Sequence, residues 1–189
     1  RPFHVEALPE EAAREAVRLA RRLALPLEGY TADGGFFVEG DSPLLEAHQR
    51  LLGVEAEGAD LLRLSSPLVR LQVLAEGEAP VERLLEALPR GLQAHVAESP
   101  KMPGVRFVSL TKEGVSKLSA ARLVAEAYGL PLSECAMVGD GENDLELLRA
   151  VGVGIAMGNA PPSVKRAAQR VVAPVEACGL AEALRLLRG

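Results

Sequence analysis

Tryptophan is absent from the 189 residues, and two tyrosines and four phenylalanines bring the aromatic share to only 3% of a chain that is 48% hydrophobic. The core must therefore be built from Leu, Val and Ala. An excess of positive charge is missing too: the net charge is -5 and the pI about 5.4, which argues against a nucleic-acid partner. Cysteine is scarce. Cys135 and Cys178 lie far apart without CxxC spacing and among apolar neighbours, so the sequence predicts reduced, buried thiols in a cytoplasmic protein. No apolar run approaches the roughly 18 residues of a membrane span, so no membrane partner is expected. A Gly-Lys-Ser/Thr phosphate loop occurs nowhere. At 20.0 kDa the chain is long enough for one domain or two small ones.

The chemistry that is present concentrates in one stretch, Val138-Gly139-Asp140-Gly141-Glu142-Asn143-Asp144. The apolar run at 135–138 has the composition of a strand buried on both faces, and a helical pattern begins directly after the polar cluster. That places two carboxylates and an amide at a strand-to-helix turn. Ligands of open α/β sheets bind at the carboxyl ends of strands, so Asp140, Asn143 and Asp144 form a candidate site for a hard cation and an anion. The competing local reading makes Asp140 or Asn143 a helix cap. An EF-hand is excluded, because its sixth and twelfth positions would be Leu145 and Val151. Gly152-Val153-Gly154-Ile155-Ala156-Met157 imitates a dinucleotide fingerprint but reads as a strand, with Met157 where the third glycine belongs.

Upstream, the pattern predicts a strand at 3–8 and a helix opening at Pro9-Glu10-Glu11. Strands at 27–30 and 36–39 flank the turn Ala32-Asp33-Gly34-Gly35, where Asp33 reads as a turn residue. A helix at 43–52, a strand at 68–75, a helix at 79–88 and strands at 92–97 and 105–110 follow, the last two separated by a breaker-rich segment. This is an α+β module whose three histidines are scattered. From about Lys112 the character changes. Helices at 116–128, 143–151, 162–169 and 180–187 alternate with strands at 135–139, 153–157 and 171–173, the rhythm of a doubly wound parallel sheet. Leu118, Ala121, Val124, Ala125 and Tyr128 mark the apolar side of the first of these helices.

Lys117 falls in a first helical turn, where the macrodipole disfavours a cation but where a lysine suits phosphate. Lys112 reads as a solvated lysine. Asn159, after the second parallel strand, would lie beside the Asp140 turn if the two strands are neighbours, with helix capping as its alternative.

Three segments in this order and spacing, Gly114-Val115-Ser116-Lys117, Val138-Gly139-Asp140-Gly141-Glu142-Asn143-Asp144 and Gly154-Ile155-Ala156-Met157-Gly158-Asn159-Ala160, resemble the C-terminal half of a haloacid dehalogenase superfamily phosphatase. The likeness covers residues 105–187 and is greatest to the Cof-type (subfamily IIB) sugar-phosphate phosphatases. It implies an α/β fold: a Rossmann-like doubly wound parallel sheet, here part of the core at 111–189, with an inserted α+β cap at 1–110 that would set substrate specificity. It implies that Lys117 is the motif lysine, catalytic and phosphate-binding, that Asp140 and Asp144 hold Mg2+ directly or through water, and that Asn143 and Asn159 line the substrate site. The implied partner is a small phosphorylated metabolite, and a homodimer is compatible with the sequence.

One part of the pattern is missing. The family's nucleophile stands in an Asp-x-Asp-Gly motif on the first core strand, and neither that motif nor its companion Ser/Thr strand occurs; Thr31-Ala32-Asp33-Gly34 lacks the first Asp. Without that strand, residues 135–138 would be an unpaired apolar edge, which proteins avoid. With a start at Arg1-Pro2-Phe3 rather than Met, this leads to the expectation of a later part of a longer polypeptide. The expected activity is Mg2+-dependent hydrolysis of small phosphate monoesters through an aspartyl-phosphate, with a nucleophile upstream. A phosphate- and metal-binding module without catalysis, or a phosphomutase, is the alternative.

Overall fold

Helix α1 (Glu10–Arg22) begins directly behind Pro9, with Glu10 and Glu11 in its first turn and Arg21 and Arg22 in its last, each set complementing the macrodipole. Its small apolar residues Ala13, Ala16, Val17 and Ala20 are buried along one stripe. The computed structural model describes residues 4–188, in two units that divide in sequence between Gly114 and Val115.

The first unit is built on a six-stranded sheet. Strands β1 (Leu27–Thr31) and β2 (Phe36–Glu39) form a hairpin, helix α2 (Pro43–Leu52) follows, and β3 (Glu57–Gly58), β4 (Leu68–Glu76), helix α3 (Ala79–Glu86), β5 (Leu92–Ser99) and β6 (Met102–Lys112) complete it. The order is β3-β2-β1-β4-β6-β5, antiparallel except for the β2–β3 pair. Alternation gives each strand two faces. On one, Leu27, Leu71, Val73, Val108 and Leu110 join α1 and the α3 residues Val81 and Leu84 in the main core. On the other, Leu74, Val105 and Phe107 pack with Leu45 of α2. Elsewhere that second face carries the polar residues Glu28, Gln72, Ser109 and His95 beside Val38 and Phe36.

The second unit contains α4 (Lys117–Ala127), β7 (Ala136–Gly139), α5 (Leu145–Ala150), β8 (Val153–Ala156), α6 (Pro162–Ala167), β9 (Arg170–Val171) and α7 (Gly179–Arg188). Its strands are all parallel, in the order β7-β8-β9. Leu148 of α5 and Val164 of α6 cover one face with Ala156 and Met137. Ala183 of α7 covers the other with Ile155, Met157, Val172 and Val138. Helices on both faces make the doubly wound arrangement that the alternating pattern predicts.

Several expectations are corrected. Residues 4–8 form no strand; Leu8 donates one backbone bond to Leu68, and Phe3 lies outside the described residues. The breaker-rich segment at 99–104 is no interruption, because β5 and β6 run through it as a hairpin closed by the Ser99–Met102 pair. On α4 only Ala125 is buried; Val124 and Tyr128 are exposed, Tyr128 by 78%. The run at 135–138 is not buried on both faces: Ala136 is exposed, Met137 and Val138 are half-buried, and β7 pairs only with β8 among the described residues. Neither thiol is buried. Cys135 is half-buried, and Cys178, a left-handed residue just ahead of α7, is exposed. Lys112 is no free lysine either, since its Nζ lies 2.6 Å from Glu6 Oε2. Asp33 behaves as a turn residue, accepting from the Thr31 hydroxyl at 2.5 Å.

Candidate active site

The start of α4 fixes Lys117. Ser116 caps the helix: its Oγ accepts the Ser119 amide at 3.1 Å, and its own amide donates to Ser119 Oγ at 2.8 Å. Lys117 is therefore the first helical residue, its side chain 48% exposed, with the positive end of the helix dipole against it. What offsets that cost is Asp144. Lys117 Nζ donates to Asp144 Oδ1 at 2.5 Å.

Asp144 is the most constrained group of the site, only 2% exposed. Its second oxygen, Oδ2, accepts the backbone amides of Asp140 and Gly141, both at 3.0 Å. Burial alone would raise the Asp144 pKa, but Lys117 and then the turn amides outweigh it and hold the carboxyl below its ordinary value. The turn is shaped around this carboxylate. A Cβ on Gly139 would stand 2.7 Å from Asp144 Oδ2, so the residue beside it must be glycine. Because the Asp144 side chain folds back onto the turn, residues 142–144 form a 3-10 turn and α5 starts at Leu145, two residues later than the periodicity predicts.

The parallel β7–β8 pairing brings Asn159 to this turn, as the sequence expectation required. Asn159 Nδ2 donates to Asp140 Oδ2 at 3.3 Å, while its Oδ1 accepts the Val175 amide at 3.1 Å. It caps no helix; α6 starts behind Pro161 without a side-chain cap. Asp140 is exposed and keeps one oxygen without a protein partner. Asn143, on the same turn, is exposed and its amide makes no hydrogen bond with the described residues. Glu142 accepts the Ser163 hydroxyl at 3.1 Å and ties the turn to α6.

Lys117, Asp140, Asn143, Asp144 and Asn159 therefore all gather around one turn within one unit. Two supporting groups escape a reading of the sequence by motif. The Ser116/Ser119 box has a local signal, Ser-x-x-Ser; the Asn159–Val175 bond has none, since it depends on a loop 16 residues away.

The donor set suits a hard cation. Asp140 and Asn143 offer oxygen atoms on an open turn, and Mg2+ takes one or two protein carboxylates while keeping several waters. Among the described residues no group of three or more His, Cys, Asp or Glu side chains forms a closed cage. Asp144 already accepts from Lys117 and two amides, so it would reach a cation through water or through the turn it organises.

The sequence profile of the haloacid dehalogenase-like hydrolases matches residues 3–184. A putative phosphatase of Haemophilus influenzae is 27% identical over 179 residues, covering 95% of this chain, which spans 66% of that protein. The HMP-PP phosphatase of Cronobacter sakazakii is 31% identical over 137 residues, 70% of this chain and 48% of its own length. Among solved structures, a phosphatase of the haloalkanoate enzyme superfamily from Bacteroides thetaiotaomicron superposes with a TM-score of 0.79 at 27% identity, over 97% of this chain and 66% of that one. A subclass IIB sugar phosphatase, at 22% identity and a TM-score of 0.77 over 96% of this chain and 68% of its own, shares the fold. No helix among the described residues is long and apolar enough to cross a membrane. With its motifs on one turn and its profile matched almost end to end, the chain belongs to the haloacid dehalogenase-like hydrolases and has the fold of their subclass IIB members.

Proposed function

We propose that these residues belong to a Mg2+-dependent phosphatase of small phosphate monoesters, such as sugar phosphates, and that the Asp140 turn is its phosphoryl site. The observation that carries this reading is the Lys117–Asp144 pair, held by two turn amides beside the open carboxylate of Asp140. Phosphoryl transfer depends on positioning and charge neutralisation more than on covalent chemistry by many groups. Lys117 supplies a cation that Asp144 aims and the helix dipole reinforces, so a phosphoryl group meets positive charge at a fixed point. Asn143 and Asn159 donate to phosphate or to its bound water, and Asn159 also fixes the Asp140 carboxylate. Asp140, and Asp144 through water, would hold Mg2+, which would supply charge neutralisation for the phosphoryl oxygens. Transfer through an aspartyl-phosphate needs a nucleophilic aspartate that the 189 residues do not carry in the family's motif. The first unit would act as the cap that selects the substrate.

The test is phosphate release from p-nitrophenyl phosphate by the natural protein. Release should require Mg2+, and Lys117→Ala or Asp140→Asn should each lower kcat/KM by about 100-fold or more. Release that survives a chelator, or variants as active as the parent, would overturn the phosphatase reading. Absence of release, together with saturable phosphate binding that Lys117→Ala abolishes, would instead favour a non-catalytic phosphate-binding module.

A further inference from the structure

The second face of the six-stranded sheet changes character along its strands. At one end Leu74, Val105 and Phe107 are apolar and covered by α2. At the other, register places Val38, Glu28, Gln72, Ser109 and His95 in one row across five strands, and Phe36, Tyr30 and Arg70 in the next. An ordinary solvated face would carry independent, mobile polar side chains. This one is built. Glu28 is fully buried; its Oε1 meets His48 Nδ1 at 2.6 Å, and its Oε2 accepts from the Tyr30 hydroxyl at 2.8 Å and from Gln72 Nε2 at 2.9 Å.

That bonding fixes Tyr30 in place, and Tyr30 in turn fixes Arg70. The Tyr30 and Phe36 rings stack at 4.9 Å and 12°, and the Arg70 guanidinium carbon sits 3.9 Å above the Tyr30 centroid. Arg70 is half-buried, yet no carboxylate among the described residues forms an ion pair with it, because the oxygens of Glu28 are already taken. The other two half-buried arginines are satisfied differently: Arg106 by Glu78 and Glu98, Arg14 by the Leu62 carbonyl. A rigid, partly desolvated guanidinium without a counter-ion, on a face lined by hydroxyl and amide groups, is complementary to a planar oxyanion that it can grip with two parallel N–H bonds.

We infer that this face of the first unit binds a small organic molecule carrying an oxyanion, a carboxylate or a phosphate, with Arg70 as its anchor, held in place by the Tyr30–Phe36 stack beside it. The proposal rests on residues of the first unit alone and does not depend on the phosphatase reading.

The 15N-labelled chain can be titrated with malonate and, separately, with inorganic phosphate while the arginine Nε–H signals are followed. Either probe should shift the Arg70 signal saturably, with the exposed Arg122 and Arg149 as references for non-specific binding, and the tighter probe identifies the preferred oxyanion. Arg70→Gln should weaken binding at least about tenfold, and Arg70→Lys, which keeps the charge but loses the fork, should fall between. Lys117→Ala should leave the Arg70 shift in place. A Tyr128→Phe variant leaves Tyr30 as the only tyrosine, so its fluorescence gives a second readout of the same event. Arg70 shifts no larger than those of Arg122 and Arg149, or binding unchanged in a folded Arg70→Gln variant, would overturn the proposal and leave an ordinary solvated sheet face.

Discussion

The Lys117–Asp144 pair shows how one carboxylate can organise a site without being its exposed group. Asp144 accepts three donors from two segments, so removing it strands the Asp140 and Gly141 amides and leaves Lys117 against a helix N-terminus. Asp144→Ala should cost about 1–3 kcal/mol in urea denaturation, most of it from the amides, because Lys117 is half exposed and its ion pair is partly screened. A loss below about 0.5 kcal/mol would mean that water replaces Asp144 without strain. The depressed pKa fixes the sign of the pH dependence. A carboxyl ionised more readily in the folded state contributes stability above its unfolded value of about 3.9, and that contribution is lost as pH falls through the lower folded value. NMR titration should therefore place the Asp144 inflection below about 3.9, with the Asp140 and Gly141 amides moving in step; an inflection above it would contradict the geometry. That Lys117, Asp140, Asn143, Asp144 and Asn159 gather around one turn was legible from their motifs and from the parallel strand order. That Asp144 serves the turn from within was not, because its partner Lys117 lies 27 residues away and the cradle exists only once the turn closes.

Elements were legible where one period ran without competition. The alternation after Lys112 gave the parallel strands and their helices, and β7–β8 pairing then placed Asn159 as expected. Misreadings arose where side chains or turns overrode the local pattern: α5 starts late because Asp144 turns back, and Pro100-Lys101 closes a hairpin rather than ending a strand. Two changes test the packing of these elements. Leu148 is completely buried between α5 and the parallel sheet, so Leu148→Ala should cost about 2–5 kcal/mol, read as a lower urea midpoint with the same slope. Glu28→Ala in the other unit strands His48, Tyr30 and Gln72 at once and should cost about 3–5 kcal/mol. A near-neutral Glu28→Ala would show that the network contributes no stability.

At the scale of the molecule, the chain devotes one unit to a parallel sheet with all the motif residues and another to an antiparallel sheet with none of them. The hydrophobic pattern anticipated the first half of that statement but not the first unit's two-faced sheet, since a polar strand position reads the same whether it meets solvent or a buried carboxylate. The proposed phosphoryl site requires the Asp140 turn to hold a divalent cation beside Lys117. Titrating paramagnetic Mn2+, in place of Mg2+, into the 15N-labelled 189-residue chain tests it most directly. Amides at 140–144 and at Asn159 should broaden first, at sub-stoichiometric metal, and Asp140→Asn should abolish the effect. Broadening centred elsewhere, or unchanged in Asp140→Asn, would exclude the Asp140 turn as the cation site.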